Sequence, residues 1–144
     1  MSESDKESMT TEIEILKQID HPNIIKLYDV FEDENYICLV IELMEGGELF
    51  ELFYEQKRFS EDQAREIIKI LIDSIRYCHQ LGVIHRDIKP ENLLFQSKER
   101  RISTLKLSDF GLSKILDENN LASTVCGTPG YVAPEILKDG KYGH

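Results

Sequence analysis

The sequence has no tryptophan, no long hydrophobic run and only three cysteines in 144 residues. Cys38, Cys78 and Cys126 lie far apart and lack the CxxC or His-rich spacing of a zinc site, so we interpret them as ordinary thiols. No stretch is apolar enough to span a bilayer, and the polar start MSESDKESMTTE lacks the apolar core of a signal peptide. These absences predict a protein of a reducing intracellular compartment, cytoplasmic or also nuclear, with no membrane partner.

Basic residues are also scarce in this chain. Lys and Arg number 17 against 27 Asp and Glu, which gives a formal net charge of -10. Because neutralising phosphates requires clustered Lys and Arg, this balance argues against nucleic acid and favours a basic partner. The length allows one domain with a core and is too short for two.

Apolar periodicity predicts a short helix followed by a hairpin. The apolar positions of the helix, over residues 8–19, recur at spacings of three and four: Met9, Ile13, Leu16 and Ile19. The β-branched and aromatic runs IIKLYDVF (24–31) and YICLVIEL (36–43) flank an acidic turn, which indicates two antiparallel strands. The second run is apolar enough that we expect it to be buried on both faces.

Helices and a long loop are predicted for the rest of the chain. The Gly46-Gly47 pair precedes a short helix in ELFELFYEQ, and Ser60 with Gln63 has the spacing of a capping box. An apolar stripe then runs towards Gly82 as the helix stop: Ala64, Ile67, Ile68, Leu71, Ile72, Ile75 and Cys78. After a short LLF run and the strand-like ISTLKLSDF, residues 111–134 look irregular. A structureless stretch of this length favours a functional loop.

Three motifs follow one another in the second half of the chain. HRDIKPEN, at residues 85–92, matches the pattern HRDxxxxN, DFG follows at 109–111, and APE occupies 133–135. Each short match alone arises by chance, but their order and intervals make coincidence negligible.

With these motifs the sequence resembles the eukaryotic protein kinases, in particular the serine/threonine branch and its calcium/calmodulin-dependent or calcium-dependent group. The finer resemblance lies in HPNIIKLYDVFED, GGELF, HRDIKPENLLF and CGTPGYVAPE. It implies an incomplete α+β kinase-like fold: a helix and two strands of the N-lobe in residues 1–42, a hinge at 43–47, and the first half of a mainly helical C-lobe in 48–144. The implied activity is transfer of the γ-phosphate of Mg-ATP to protein hydroxyls.

The resemblance also implies catalytic roles. Asp87 would orient the substrate hydroxyl and accept its proton, and Lys89 would lie against the transferring phosphate. Asn92 and Asp109 offer the hard oxygen ligands that suit Mg²⁺. His85 is expected to pack against the phenylalanine of the DFG motif and to serve as neither acid nor base.

Other positions would bind the nucleotide. Ile41 would guard the back of the adenine pocket, and the backbone of the next three residues, Glu42 to Met44, would bond the adenine. Leu94 would form the floor of that pocket. Glu12 is at the position of the glutamate that pairs with a lysine in the family.

Substrate and regulatory roles follow from the same resemblance. Glu48, also assigned to the nucleotide site, and Glu91 would recognise a basic residue upstream of the phosphorylated hydroxyl, although both could equally be solvated glutamates. Thr128 would contact Asp87 and Lys89. An upstream kinase would phosphorylate Thr124, or its neighbour Ser123, and Arg86 would pair with the phosphate. The predicted regulatory positions are thus Glu12, Arg86 and Thr124.

The resemblance covers only the middle of a kinase domain. No GxGxxG loop or VAIK-like strand occurs, so Glu12 has no lysine to pair with, and nine residues follow Glu135. We expect uncovered apolar surface on the long helix as a result. A catalytically inactive binding or regulatory fragment is therefore an alternative, whereas KPEN and GTPGYVAPE disfavour a small-molecule phosphotransferase. No EF-hand loop or calmodulin-binding helix is recognisable.

Overall fold

The computed structural model describes residues 3–33, 36–116, 122, 125–139 and 142–143. Within these ranges the chain forms four helices, six strands and short 3-10 turns at Pro90–Asn92 and Ile102–Thr104. The helices are α1 (Glu3–Gln18), α2 (Leu49–Gln56), α3 (Glu61–Gln80) and α4 (Pro134–Asp139). The strands are β1 (Leu27–Glu32), β2 (Ile37–Ile41), β3 (Val83–Ile84), β4 (Leu93–Phe95), β5 (Leu105–Leu107) and β6 (Lys114–Ile115). The predicted α+β class is confirmed.

The six strands of the described ranges form three antiparallel pairs: β1 with β2, β3 with β6, and β4 with β5. The β1–β2 hairpin has the predicted turn, in which the backbone N–H of Tyr36 donates to the Asp33 carboxylate at 2.8 Å. Burial of β2 on both faces was a wrong prediction, because Val40 and Ile41 are 42% and 46% exposed. A sheet of only two described strands leaves much of its apolar surface without a covering layer.

Helix α3 begins and ends as predicted. The Ser60 hydroxyl accepts from the backbone N–H of Gln63, and Gly82 follows the helix with a φ of +72° that favours glycine. The buried side chains, Ile67, Ser74 and Cys78, define a narrower stripe than the sequence indicates. The residues Ile68 and Ile72 are instead 51% and 57% exposed, which fits the expected uncovered surface.

The core joins α1 and the segment that follows it to α2, α3 and the short strands β3 to β5. Its main cluster combines residues of α1, α2, α3 and β3 to β5 with the segments between them: Ile15, Leu16, Ile19, Ile24, Ile25, Leu49, Leu52, Ile67, Cys78, Val83, Leu93, Phe95, Leu105, Leu107 and Phe110. The chain before β1 is fastened to β5, where the N–H of Ile25 donates to the Leu107 carbonyl at 2.9 Å. This contact fixes α1 and the hairpin against the loops that follow β3 and β5.

Candidate active site

The two motif loops are brought together by the pairing of their flanking strands. Because β3 pairs with β6 and β4 with β5, the loop after β3 faces the loop after β5. His85 is buried between them: its Nε2 lies 3.0 Å from the Ser108 carbonyl, and its ring meets Phe110 edge-on at 4.7 Å between centroids. Burial lowers the His85 pKa, and its Nδ1 accepts from the Asp87 N–H at 3.3 Å. A neutral, packed His85 agrees with the structural role expected for it.

The carboxylate of Asp87 is the most heavily bonded group of the site. Oδ1 accepts from both the backbone N–H, at 3.0 Å, and the hydroxyl of Thr128. Oδ2 lies 2.8 Å from Lys89 Nζ and 3.2 Å from Asn92 Nδ2. Burial raises the pKa of Asp87, but the hydrogen bonds from these three side chains outweigh it, so the net shift is downward. Asp87 is therefore an ionised carboxylate with a fixed orientation at neutral pH.

Lys89 connects the loop after β3 to the segment before α4. Its ammonium donates to the Thr128 hydroxyl at 2.7 Å as well as to Asp87. The hydrogen bond to Asp87 raises the pKa of Lys89, so the amine of Lys89 is protonated at neutral pH. The predicted contact of Thr128 with Asp87 and Lys89 is present in the structure.

Asn92 and Asp109 meet the chemical requirements of a magnesium site. Asn92 donates Nδ2 to the Asp87 carbonyl at 2.8 Å, which leaves its amide oxygen as a ligand. Asp109 has a φ of +62°, and its Oδ1 accepts from the Gly111 N–H at 3.3 Å. Among the described residues, no group of three or more His, Cys, Asp or Glu side chains could hold a metal. Two protein oxygens completed by phosphate and water are the usual arrangement for Mg²⁺, so the residues fit this ion.

Glu12 lies beside Asp109 on the inner side of α1. A Cβ built on Gly111 would lie 3.2 Å from Asp109 Oδ1 and 3.7 Å from Glu12 Oε2, so both carboxylates border this glycine. Burial, and after it the charge of Asp109, raises the pKa of Glu12. A cation between the two carboxylates would relieve this repulsion.

The predicted adenine segment follows β2. The Glu42 N–H donates to the Lys26 carbonyl at 2.8 Å, whereas no backbone hydrogen bond within the described ranges uses the Glu42 carbonyl or the Met44 N–H. Leu94 is half-buried between the buried Leu93 and Phe95, so its side chain is on the face of β4 away from the core. One carbonyl, one N–H and an apolar floor are the features that a flat heteroaromatic ring requires.

The adenine segment is followed by two glycines, Gly46 and Gly47, at a point where the backbone approaches β4 closely. The Gly46 N–H donates to the Phe95 carbonyl at 3.0 Å, and a Cβ on Gly46 would lie 2.5 Å from the Phe95 Cβ. Gly47 has a φ of +77°, and its carbonyl accepts from the Phe95 N–H at 2.9 Å. From the other side, Arg100 Nε donates to the Gly46 carbonyl at 2.7 Å.

The other predicted positions lie around the same centre. Glu48 is the N-cap of α2 and pairs in the backbone with Leu94, which places it beside the adenine floor. Glu91 has a buried Oε2 for which the described residues supply no hydrogen-bond partner. Arg86 donates Nε to the Leu112 carbonyl at 2.5 Å, and its Nη1 lies 3.4 Å from the Tyr142 hydroxyl. Thr124 and Ser123 lie outside the described residues.

Comparison with known proteins shows the family to which this chain belongs. The protein kinase domain family matches residues 1–144. The chain belongs to the protein kinase family. It is 49% identical over 139 residues to the mouse (Mus musculus) calcium/calmodulin-dependent protein kinase type IV, with 96% of this chain and 29% of that protein covered. It is 48% identical over 136 residues to a probable myosin light chain kinase of Dictyostelium discoideum, with 94% and 43% covered.

The predicted resemblance to the calcium/calmodulin-dependent group of serine/threonine kinases is confirmed by these relatives. A type 1 calcium/calmodulin-dependent protein kinase of Macrobrachium nipponense is also 44% identical over 138 residues, with 96% of this chain and 39% of that protein covered. The chain thus spans less than half the length of each of these relatives. Among its described residues, no helix is long and apolar enough to cross a membrane.

Several residues of the site have no signal in the sequence. Ser108 is buried and donates both its N–H and its hydroxyl to the Asn92 carbonyl, at 2.9 and 3.0 Å. Lys106 pairs with the Glu42 carboxylate at 3.0 Å, behind the adenine segment. These residues and Arg100 act through contacts between distant parts of the chain, so no local spacing could have indicated them.

Proposed function

We propose that this chain forms the central part of a protein serine/threonine kinase that transfers the γ-phosphate of Mg-ATP to protein hydroxyls. The observation that carries the proposal is the ionised Asp87 carboxylate, which Thr128, Lys89 and Asn92 hold in a single orientation. Phosphoryl transfer requires positioning and charge stabilisation more than covalent chemistry, and this site supplies both.

Each residue has one part in the proposed reaction. Asp87 orients the substrate hydroxyl and accepts its proton as the oxygen bonds to the γ-phosphorus and the bond to the leaving ADP breaks. Lys89, within reach of Asp87 and Thr128, stabilises negative charge on the transferred group. Asn92 and Asp109 would hold Mg²⁺, which supplies charge neutralisation when it is bound.

Nucleotide recognition is assigned to the segment after β2. The Glu42 carbonyl and the Met44 N–H would bond the adenine edge above Leu94. This proposal is supported by the absence of other backbone partners for these two groups in the described chain. Glu48, at the start of α2, would lie at the ribose end.

A basic side chain upstream of the phosphorylated hydroxyl is the preferred substrate feature in this proposal. Glu91 supports it, because a buried carboxylate oxygen without a partner is costly unless a ligand supplies a donor. Glu48 is the second candidate for this contact. The net charge of -10 favours the same class of substrate.

Thr124 is the proposed target of an upstream activating kinase. Arg86 supports this role, since its guanidinium reaches the hydroxyl of Tyr142, which in turn contacts Cys126 in the segment before α4. A phosphate on Thr124 would offer this cation a stronger, charged acceptor than a tyrosine hydroxyl.

Isothermal titration of the 144-residue chain with Mg-ATP, after circular dichroism has verified folding, tests the proposal. We expect binding that the Asp109→Asn substitution weakens by at least about tenfold, because a neutral amide is a poorer ligand for Mg²⁺ than a carboxylate. Asparagine is the right replacement because it tolerates the positive φ at this position. Asp29→Asn, which removes the same charge from an exposed site, serves as the control and should bind like the wild type.

The alternative is a binding or regulatory module without turnover. The Glu12–Asp109 carboxylate pair favours it, because burial and the charge of Asp109 raise the pKa of Glu12, and no ion pair among the described residues neutralises Glu12. A folded chain that does not bind Mg-ATP would support this alternative. If it binds, phosphotransfer to a basic peptide decides whether it also turns over.

A further inference from the structure

Arg100 occupies an unusual position in the loop between β4 and β5. Its φ is +49°, in the left-handed region that residues with a Cβ rarely adopt, and its N–H donates to the Ser97 carbonyl at 3.0 Å. Its side chain is only 26% exposed and extends towards the end of the adenine segment. A strained backbone that directs a charged side chain inward indicates that the side chain has a task there.

The guanidinium of Arg100 joins two separate elements. Nε donates to the Gly46 carbonyl at 2.7 Å, at the end of the adenine segment. Nη1 lies 2.9 Å from Glu55 Oε2, and Nη2 lies 3.5 Å from Glu51 Oε2, so the other end of the guanidinium holds helix α2. Glu51 and Glu55 are four residues apart on α2 and would repel each other without a cation between them.

These contacts reach both ends of the proposed nucleoside site. Gly46 lies two residues after Met44, whose N–H is assigned to the adenine. Glu51 accepts from the Glu48 N–H at 3.3 Å, so the anchored helix also fixes the residue at the ribose end. A Cβ on Gly47 would lie 2.2 Å from Glu51 Oε2, which shows how closely the segment and the helix approach each other here.

We propose that Arg100 is a positioning residue for the nucleoside part of the nucleotide, because it holds the adenine segment and helix α2 in one fixed arrangement. This inference rests on the proposed function and extends it to a residue outside the kinase motifs. Arg100 contacts no reacting atom. Its effect is therefore on affinity for the base and ribose and leaves the phosphate end unchanged.

Titration of wild type and Arg100→Ala with adenosine and with Mg-ATP tests this inference. We expect both affinities to fall by about tenfold, the effect of losing one charged hydrogen bond, and by the same factor. Asp109→Asn should give the opposite pattern, with weaker Mg-ATP binding and unchanged adenosine binding. Arg101→Ala is the matched control, because this neighbouring arginine is exposed and its side chain makes no hydrogen bond or ion pair in the described structure.

Two results would overturn the role of Arg100. One is a change of less than about twofold for both ligands, and the other is a loss for Mg-ATP alone, which would place Arg100 at the phosphates. If circular dichroism shows that Arg100→Ala is unfolded, Arg100→Lys decides instead. Lysine keeps the positive charge beside Glu51 and Glu55, but its single ammonium cannot bond the two glutamates and the Gly46 carbonyl at once as the guanidinium does. The affinities for adenosine and for Mg-ATP should therefore still fall together.

Amide hydrogen exchange separates this inference from the proposed function. Arg100→Ala should speed exchange at Gly46 and Leu52, whose N–H groups bond Phe95 and Glu48, and leave that of Leu107 unchanged. A wild-type chain that binds neither ligand would refute the proposed function, and exchange would still decide whether Arg100 fixes these elements. Unchanged exchange at Gly46 and Leu52 would refute that positioning.

Discussion

The ion pair between Glu42 and Lys106 should contribute strongly to the stability of the described chain. The two side chains are 11% and 12% exposed, and their charged atoms lie 3.0 Å apart. The Glu42 carboxylate also accepts from Gln96 Nε2 at 3.2 Å and from the Lys26 N–H at 3.4 Å. Removing Lys106 leaves a nearly buried carboxylate with these two weaker, neutral donors only.

Lys106→Met therefore should lower the free energy of unfolding by about 3 kcal/mol, the usual cost of breaking a buried pair. Methionine retains most of the apolar stem, so little of the loss comes from packing. For a chain of this length, the melting temperature should fall by about 9 °C, measured by circular dichroism at neutral pH. Lys26→Met, which breaks the exposed pair with Asp20, should leave the melting temperature nearly unchanged.

The double variant Glu42→Gln/Lys106→Met distinguishes a buried charge from lost packing. Glutamine carries no charge and keeps one acceptor oxygen, which can accept from either Gln96 or the Lys26 N–H. We expect the double variant to be about 2 kcal/mol more stable than Lys106→Met alone. If the two substitutions were simply additive, the reasoning from an unpaired buried charge would be refuted.

Two further outcomes concern Thr128 and Cys78. Thr128→Val keeps the N–H bond to Asp87 but loses the bond from the hydroxyl. The kcat of peptide phosphorylation should therefore fall about tenfold, with unchanged affinity for Mg-ATP. A kcat as high as that of the control Thr104→Val would contradict this. Burial raises the pKa of the Cys78 thiol to about 11, so iodoacetamide at pH 8 should alkylate the exposed Cys38 and spare Cys78 until the chain is denatured. Equal labelling rates by mass spectrometry would show that α3 opens readily.

The sequence predicted the parts of this molecule that depend on local pattern. The capping box at Ser60, the glycine stop at Gly82 and the acidic hairpin turn all depend on residues within a few positions of each other, and all are present. The motif residues Asp87 and Asn92 also lie together, because the loop between them is only a few residues long.

The parts that were missed depend on contacts between distant segments. Which face of α3 is buried depends on what packs there, so periodicity alone could not separate the buried Ile67 from the exposed Ile68 and Ile72. The pairing of Lys106 with Glu42 spans more than sixty residues of sequence, and that of Arg100 with Gly46 spans more than fifty. Neither pair has a spacing that a sequence pattern could record.

The full set of hydrogen bonds on Asp87 also affects whether the site can hold a water molecule as a nucleophile. A carboxylate has about four lone-pair positions, and here two bonds from Thr128 and one each from Lys89 and Asn92 occupy them. A stray water molecule would have to displace one of these donors to be held for attack on a phosphate. In the proposed reaction, a peptide hydroxyl that arrives with many other contacts can offset that cost, so the same bonds that orient Asp87 should suppress hydrolysis of the nucleotide by water.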